Sequence, residues 1–401
     1  MNIKTVVIVN DFNYIQGGAS KVAIDTAKIL RESGFEVYFF SAVNNEEDNI
    51  EGIKYVSTNQ NEALKEKNKL KGALNGIYNF KAKNALKGLL KTLDKNTTIV
   101  HIHGWTKALS SSIFDIAFKM NFKVVLTLHD YFTACPNGGY FNYRKNEICH
   151  IKPLSWKCIK CNCDSRNYAF KLYRLARQFV QNKIVKLNEK LKYVISISEL
   201  SEKILKPTLG KNVTITRIYN PIDIDENEEK IDYSKNKYYL YVGRISKEKG
   251  VDIFCKAITE LGLEGIVVGD GYEKEKLEKQ YPNIQFTGWK DKIEVKKYMK
   301  GAKALIFPSR WYETAGLSVV EAMSIGLPVI VSDNCAGVEF IKNGYTFEMG
   351  NIEELIKKVN ILENDNKTRK LSENAYNRYW KQPLLKENYE KILKKYYYNI
   401  K

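Results

Sequence analysis

The chain has 401 residues, of which 44% are hydrophobic and 27% are charged, and its formal net charge is +18. This length predicts two domains of ordinary size, each with its own hydrophobic core. No apolar run approaches the roughly 20 residues that a membrane-spanning helix needs, so an integral membrane protein is not expected.

The positive charge is concentrated in the first half of the chain. Residues 1–220 hold 34 Lys and Arg against 18 Asp and Glu, whereas residues 221–401 hold 30 against 28. This excess predicts a surface for an anionic partner, with nucleic acid and an anionic membrane leaflet as candidates. Near the N-terminus, the short apolar run Thr5–Val9 is typical of a strand and not of a signal peptide, so we expect a cytoplasmic location.

Short apolar strands alternate with helical stretches in the first half, which predicts a parallel sheet covered on both faces. A helix is expected over Ala19–Glu32, and Pro221 with the acidic run Asp223–Glu229 is expected to form a linker. The predicted strands are Val6–Val9, Val37–Phe40, Ile99–Ile102, Val124–Leu128 and Tyr193–Ile197.

The second half repeats this alternation and predicts a second sheet of the same kind. Helices at about Ile352–Leu362, Lys367–Trp380 and Leu385–Tyr397 close the chain. In doubly wound sheets, ligands bind at the carboxyl ends of the strands. The predicted strands are Tyr238–Val242, Gly265–Val268, Ile284–Phe286, Ala304–Phe307, Pro328–Ser332 and Gly344–Phe347.

Residues 307–332 form the most informative stretch of the chain. Glu313 lies in the loop after a strand, and Glu321 lies in the helix predicted over Leu317–Ser324. The N-terminus of a helix has unpaired backbone N–H groups and a positive dipole end, which suits a phosphate. Glu313 could accept hydrogen bonds from sugar hydroxyls and Glu321 from ribose, although a solvated turn and a helix surface would also explain them. The candidate donor-binding residues here are Thr314, Ala315, Gly316, Leu317 and Glu321.

Two cations follow the first strand of the second half. Arg244 offers a planar fork and Lys249 a point charge, and together they could hold a diphosphate. They could also neutralise the charge of a departing phosphate without a metal ion. Gly243 precedes the arginine, and a second glycine turn holds Gly269 and Gly271. An ordinary basic loop and a plain strand-to-helix turn are the alternatives.

Together, these strings resemble the donor-sugar signature of family 4 retaining glycosyltransferases, which have the GT-B fold. The resemblance is highly specific over residues 238–332 and looser over residues 1–220. It implies that Arg244 and Lys249 stabilise the leaving diphosphate, that Glu313 positions the sugar and that Glu321 holds the ribose.

The same resemblance implies an α/β fold in which two doubly wound Rossmann-like domains face a central cleft. Residues 1–220 would bind the acceptor and residues 221–376 the nucleotide sugar. Residues 377–401, including Trp380 and Tyr396–Tyr398, would pack back on the first domain. Closure of the cleft would exclude water from the activated donor.

The first half also contains candidate site residues. Gly17 and Gly18 follow the first strand, where their small size lets the backbone approach a ligand. His129 ends a later strand and could contact the donor sugar or the acceptor, or it could be structural. The resemblance favours His129 as a catalytic residue of the cleft. His101 and His103 flank Ile102 on alternate strand faces, and His103 is expected to approach the cleft.

Five of the seven cysteines fall within residues 135–163. Cys158 and Cys161 have the spacing of a metal knuckle, and clustered thiols in a cytoplasmic protein favour zinc over disulfides. A structural zinc, reduced free thiols and a redox role all stay open. Such an insertion occurs in a subset of bacterial polysaccharide enzymes in the family that the chain resembles. The predicted zinc ligands are Cys149, Cys158, Cys161 and Cys163, with Cys135 and His150 in reserve.

Two basic amphipathic stretches, Lys65–Lys95 and Arg166–Lys192, alternate lysines and arginines with apolar side chains. Such helices bind anionic lipid surfaces at the level of the headgroups. They could equally be solvated basic faces of helices that pack on their own domain.

The resemblance therefore implies a retaining, metal-independent glycosyltransferase that requires no cofactor. It would move a sugar from a nucleotide diphosphate, with UDP favoured, to a saccharide or polyprenyl-linked acceptor in cell-surface polysaccharide synthesis. We expect it on the inner face of the cell membrane, with no nucleic-acid partner. A sugar-nucleotide epimerase and a basic nucleic-acid-binding protein are the alternatives, but the glutamate string argues against the first and the lack of a binding motif against the second.

Overall fold

The computed structural model describes residues 3–222, 224, 231–341, 344–381 and 384–400. Except for Ile224, the predicted acidic linker Asp223–Glu229 lies outside the described residues.

Strands and helices alternate through the first half of the chain as the apolar periodicity predicts. The strands are β1 (Thr5–Phe12), β2 (Glu36–Val43), β3 (Lys54–Ser57), β4 (Thr98–Ile102), β5 (Lys123–Leu128), β6 (Phe141–Asn142), β7 (Glu147–Ile148), β8 (Tyr193–Ser196) and β9 (Thr214–Arg217). The helices are α1 (Gly18–Glu32), α2 (Lys69–Ile77), α3 (Phe80–Leu90), α4 (Ser112–Lys119), α5 (Trp156–Lys160), α6 (Tyr168–Phe179), α7 (Leu187–Lys190) and α8 (Glu199–Leu205).

The second half continues the same alternation. Its strands are β10 (Tyr239–Val242), β11 (Gly265–Val268), β12 (Ile284–Gly288), β13 (Ala304–Phe307), β14 (Val329–Ser332) and β15 (Tyr345–Phe347). Its helices are α9 (Val251–Glu260), α10 (Lys274–Gln280), α11 (Lys292–Gly301), α12 (Leu317–Ser324), α13 (Ile352–Ile361), α14 (Asp365–Lys381) and α15 (Lys386–Tyr398).

Two parallel sheets result, which confirms the predicted α/β class. The first has the order β3-β2-β1-β4-β5-β8-β9 and the second the order β12-β11-β10-β13-β14-β15. Each sheet grows in one direction and then reverses, between β1 and β4 in the first and between β10 and β13 in the second. Ligands of doubly wound folds bind outside the carboxyl ends of the strands at such a switch point. The edge strands β3 and β9 and the β6–β7 hairpin were not predicted.

The chain divides into two compact units. The first comprises residues 1–140, 150–221 and 386–401, and the second residues 141–149 and 222–385. Helix α15 belongs to the first unit, where Leu393 and Tyr397 are fully buried in the core. The predicted crossover at residue 377 needs correction, because Trp380 donates its Nε1–H to Ser324 O over 3.0 Å within the second unit. The segment that joins the first unit therefore begins at Lys386.

The two basic stretches are interrupted helices. The first divides into α2 and α3, because the Asn79 side chain accepts from Ala82 N and caps a new helix. The second comprises α6, a π-helical turn over Val180–Ile184, and α7. Lys171 and Arg177 of α6 are buried, so two basic side chains of the second stretch belong to neither a solvated nor a lipid-facing surface. Among the described helices, none is both long and apolar enough to cross a membrane.

Candidate active site

In the second unit, the loops after β10 and β11 lie in close contact. Ile245 N donates to Asp270 O over 2.9 Å. A Cβ atom at Gly269 would lie 2.0 Å from Gly243 O, and one at Gly271 would lie 2.1 Å from Ile245 O. The glycines predicted to bind the donor, Gly243, Gly269 and Gly271, therefore allow the two loops to approach each other. This contact fixes the backbone that carries Arg244.

That arginine, Arg244, is held by a buried carboxylate. Its Nη2 donates to Glu248 Oε1 over 2.6 Å. Glu248 is buried, whereas 59% of the Arg244 side chain is exposed. The Tyr272 hydroxyl lies 3.4 Å from the second carboxylate oxygen. Glu248 thus anchors the guanidinium and leaves much of it accessible to an anion.

Lys249 and Glu313 form an ion pair although they are far apart in the sequence. Glu313 Oε2 also accepts the Trp311 Nε1–H over 3.0 Å, and Lys249 Nζ lies 5.3 Å from the centroid of the Trp311 ring. Burial alone would raise the pKa of Glu313, but the Lys249 ammonium, the indole N–H and the Arg244 guanidinium together lower it below its ordinary value. Glu313 is therefore an ionised, oriented hydrogen-bond acceptor.

The loop that carries Glu313 is fixed from both sides. Arg310 N donates to Glu248 O over 2.8 Å, and Ala336 N donates to Glu313 O over 2.9 Å. Arg310 also forms a two-pronged ion pair with Asp252, in which Nη2 lies 2.7 Å from Oδ2. The predicted residues Arg244, Lys249 and Glu313 consequently lie together on loops at the β10/β13 switch point.

The donor-binding residues predicted around α12 lie on one loop-to-helix segment. Gly316 has φ +64° and precedes the helix, and no side chain caps α12. Val319 N donates to Gly316 O over 3.0 Å, so only the two N–H groups before it in α12 need another acceptor. Thr314 and Gly316 are buried, and Ala315, Leu317 and Glu321 are half-buried. This geometry leaves the helix N-terminus suited to an anion, as the sequence predicts.

In the first unit, Gly17 and Gly18 lie exposed at the N-terminus of α1. Gly17 has φ +149°, a conformation that favours glycine. Among the described residues, no heavy atom lies within 4 Å of a Cβ atom built on either glycine. Folding contacts therefore do not explain why the second glycine is small.

Three histidines of the first unit form a connected group at β4 and β5. His103 Nδ1 lies 3.0 Å from His129 Nε2, and the rings of His101 and His103 are 4.2 Å apart. The expectation of alternate strand faces is therefore wrong, since residues two apart on a strand share a face. His101 contacts the hydroxyls of Tyr397 at 2.6 Å and Thr127 at 2.7 Å, which makes it structural. Burial lowers the pKa of His101 and of His129 to about 3, so both rings are neutral near pH 7.

Two carboxylates, Asp11 near the end of β1 and Asp130 after β5, were not predicted as site residues. Asp11 accepts the backbone N–H groups of Lys107, Ala108 and Leu109 at 2.8–3.0 Å and so shapes the loop after β4. Desolvation raises the pKa of Asp130 to about 6. Sequence reasoning missed Asp11, Glu248 and Trp311 as site residues. Asp11 lies near the end of β1. Glu248 belongs to the string that carries Lys249, and Trp311 belongs to the string that carries Glu313.

The cysteines do not assemble as the predicted zinc ligands. Lys171 Nζ lies 3.4 Å from Cys158 Sγ and 3.2 Å from Cys163 Sγ, which places an ammonium group between two thiols. Cys149 belongs to the second unit, whereas Cys158, Cys161 and Cys163 belong to the first. Within the part of the chain that the structure describes, no group of three or more His, Cys, Asp or Glu side chains is placed to hold a metal ion. The residues as arranged do not fit zinc, and metal binding stays a prediction.

Comparison with known proteins agrees with this fold. Residues 16–226 match the family described as "Glycosyltransferase Family 4", and residues 223–378 match "Glycosyl transferases group 1". These two matches define a glycosyltransferase. The chain belongs to family 4 and has the GT-B fold, as its sequence motifs predict.

Individual relatives and solved structures are also similar to this chain. An uncharacterized glycosyltransferase of Haemophilus influenzae is 26% identical over 87% of each chain. An uncharacterized 41.2 kDa protein in the cps region of Klebsiella pneumoniae is 31% identical over 47% of this chain and 57% of that protein. Two solved structures have the same fold. Sucrose-phosphate synthase from Thermosynechococcus elongatus has a TM-score of 0.70 at 17% identity, covering 98% of both chains. Anabaena HepE in complex with UDP has a TM-score of 0.65 at 18% identity, also covering 98% of both chains.

Proposed function

We propose that this chain is a retaining glycosyltransferase that moves a sugar from a nucleotide diphosphate to a saccharide or lipid-linked saccharide in cell-surface polysaccharide synthesis. The observation that carries the proposal is the Lys249–Glu313 ion pair, with Arg244 nearby. In such a ligand, the anionic diphosphate would pair with the cations, and the sugar hydroxyls would donate hydrogen bonds to the carboxylate. Arg244 and Lys249 would stabilise the departing diphosphate, while Glu313 would accept hydrogen bonds from the transferred sugar.

UDP is the favoured nucleotide. Support comes from HepE, which has the same fold and was solved with UDP and with UDP-glucose. The Klebsiella relative is described as lying in the cps region, which supports a polysaccharide product. Glu321, half-buried in α12, would hold the ribose, and the N-terminus of α12 would face the diphosphate.

We expect the reaction to be metal-independent because Arg244 and Lys249 supply positive charge where the leaving group departs. An Asp-x-Asp triplet, Asp223 and Asp225, occurs in the segment outside the described residues. The expectation therefore depends on the two cations alone. Transfer rates should be equal with excess EDTA and with added Mn²⁺ or Mg²⁺, and a strict requirement for either ion would contradict it.

The decisive experiment is a panel of UDP- and GDP-sugars tested with saccharide and polyprenyl-linked acceptors. We expect UDP release that depends on the acceptor, with the anomeric configuration of the donor preserved in the product. Lys249→Met should abolish transfer. The matched control is Lys303→Met. Lys303 is buried and contacts Glu363 Oε1 at 3.4 Å, but it precedes β13, at the end of the strand opposite to the Glu313 loop. An epimerised sugar formed without acceptor would instead support the epimerase alternative.

A membrane surface is the proposed location of the acceptor. Helices α2 and α6 pack together, since the Tyr173 hydroxyl lies over Gly76. They nevertheless expose apolar side chains, including Leu70, which is 72% exposed. Exposed lysines lie beside these side chains, which suits an anionic bilayer. Exposed apolar residues of α2, α6 and the neighbouring segments α3, α5 and the π-helical turn include Leu70, Leu74, Phe80, Trp156, Leu172, Phe179 and Ile184.

Vesicle binding tests this location. The chain should sediment with phosphatidylglycerol vesicles and not with phosphatidylcholine vesicles, and high salt should weaken the binding. A Leu74→Asp/Leu172→Asp variant should lose most of it. Ile293→Asp is the matched control, because Ile293 is 69% exposed but lies in the second unit. Equal binding by all three proteins would contradict the proposed surface.

A further inference from the structure

The hydrogen bond between His103 and His129 can hold only one proton. The two nitrogens, His103 Nδ1 and His129 Nε2, are 3.0 Å apart, so one of them is an N–H donor and the other a lone-pair acceptor. Both rings are desolvated, which lowers their pKa values and leaves each ring neutral, with a single proton, near pH 7. Each ring is therefore one of two tautomers, and the bond couples the two choices.

The second nitrogen of His103 decides between them. His103 Nε2 is buried and has no hydrogen-bond partner among the described residues. If the His103 proton were on Nε2, a donor would be buried without an acceptor, an arrangement that is rare in folded proteins. With the proton on Nδ1, Nε2 has only an unused lone pair, and the N–H is satisfied by His129. The second arrangement is the more stable one.

We propose that His103 is a positioning residue whose Nδ1–H donates to His129 Nε2 and thereby holds the proton of His129 on Nδ1. His129 then presents its Nδ1 as a hydrogen-bond donor and not as a base. This inference depends on the proposed function and on the role that the sequence predicts for His129, a contact with the donor sugar or the acceptor. A donor there would stabilise a sugar hydroxyl or the charge that develops on an oxygen during transfer.

The rest of the cluster holds His103 in the required orientation. The His103 backbone N–H donates to Val9 O over 2.9 Å and continues the pairing of β4 with β1. The imidazole lies between two other rings, with centroids 4.2 Å from His101 and 5.2 Å from His129. His101 is in turn fixed by the hydroxyl of Tyr397 on α15. Rotation of His103 away from His129 would therefore disturb a packed stack.

Nitrogen NMR of the imidazoles tests the proposal directly. The chain has four histidines, so ¹⁵N-histidine labelling with single substitutions assigns each ring. We expect His129 to carry its proton on Nδ1 in the unsubstituted chain. His103→Leu removes the donor and should shift that proton toward Nε2, whereas His103→Asn keeps an N–H near Nδ1 and should preserve the pattern. His150→Leu, the matched control, should leave the His129 signals unchanged, because His150 is exposed and lies outside the cluster.

Activity supplies a second readout. We expect kcat to fall about tenfold in His103→Leu, with the donor KM nearly unchanged, and to recover largely in His103→Asn. A His129 proton on Nε2 in the unsubstituted chain, or no change in His103→Leu, would overturn the inference. Failure of the proposed function would look different, because transfer would be absent from every variant while the NMR pattern still held.

Discussion

The two units place chemically opposite groups at the same position of the same kind of sheet. In the second unit, the loops at the switch point carry full charges in pairs, Arg244 with Glu248 and Lys249 with Glu313. In the first unit, β4 and β5 bring neutral imidazoles into hydrogen bonds, His103 with His129. Charged pairs suit a ligand with a diphosphate, and neutral donors and acceptors suit hydroxyl groups. The fold thus provides the location, and the loop residues decide which half of the reaction each unit could serve.

The largest effect should come from Glu313→Gln, which removes the charge and keeps the shape. We expect transfer to fall about 10³-fold, because the sugar loses an ionised acceptor oriented by two partners. Lys249 would lose its buried counter-ion, so the free energy of unfolding should also fall, by about 1–3 kcal/mol. Steady-state kinetics and chemical denaturation measure the two effects.

Glu363→Gln controls for stability, because Glu363 contacts the buried Lys303 in the same unit. It should keep full activity. If Glu313→Gln transferred sugar at the wild-type rate, the charged pair would have no part in the reaction. The difference between charged pairs in one unit and neutral imidazoles in the other would then not reflect function.

Arg244→Gln should have the next largest effect. Loss of the guanidinium should weaken UDP binding about 10- to 100-fold, as measured by titration calorimetry. Arg369→Gln is the control, since Arg369 pairs with Asp232 in the same unit and is largely exposed. Equal UDP affinity in both variants would remove Arg244 from the donor site.

The sequence could predict the charged site far better than the neutral one. Arg244 and Glu248 are four residues apart, and Trp311 and Glu313 are two apart, so a short string holds each group together. The link from Lys249 to Glu313 needed the fold, because the resemblance to family 4 assigned both residues to the donor site but did not predict their ion pair.

The neutral site could not be predicted in this way. His101 and Tyr397 are 296 residues apart, and His103 and His129 are 26 apart, so these pairs exist only once the sheet and α15 have formed. For a related reason, the cysteine spacing could not show that a lysine from α6, Lys171, lies between two of the thiols.

Acid should destabilise the first unit more than the second. Burial holds the pKa of His101 near 3, below its unfolded value of about 6.5, so its stabilising contribution is complete above pH 6.5 and is lost as the pH falls toward 3. The depressed pKa of Glu313 affects stability only below about pH 4.5. Asp130, with a pKa of about 6, acts in the opposite direction and offsets part of the histidine effect. His129 has the same folded pKa of about 3, so between pH 7 and pH 5 the two histidines together should cost the first unit about 4 kcal/mol, of which Asp130 offsets about 1. We therefore expect the first unit to lose about 2–3 kcal/mol and the second almost nothing.

Hydrogen exchange resolved by peptide measures this difference. Exchange should accelerate in β4 and β5 at pH 5, after correction for the intrinsic rate, and stay unchanged in β10 and β13. His101→Gln should reduce the acceleration in the first unit, because it removes a group that gains a proton on unfolding. Equal acceleration in both units would show that the buried imidazoles do not set the acid stability.

The smallest expected effect on folding concerns glycine, and it separates steric need from ligand need. Gly271 cannot accept a Cβ atom without meeting the backbone of Ile245, whereas Gly18 faces open space. Gly271→Ala should therefore lower the free energy of unfolding by about 1–3 kcal/mol, and Gly18→Ala should change it by less than about 0.5 kcal/mol. If Gly18 is small so that a ligand can approach, Gly18→Ala should still raise the KM of donor or acceptor several-fold. Unchanged kinetics in a fully stable Gly18→Ala chain would remove the Gly17–Gly18 loop from the site and leave the imidazole pair as the first unit's contribution.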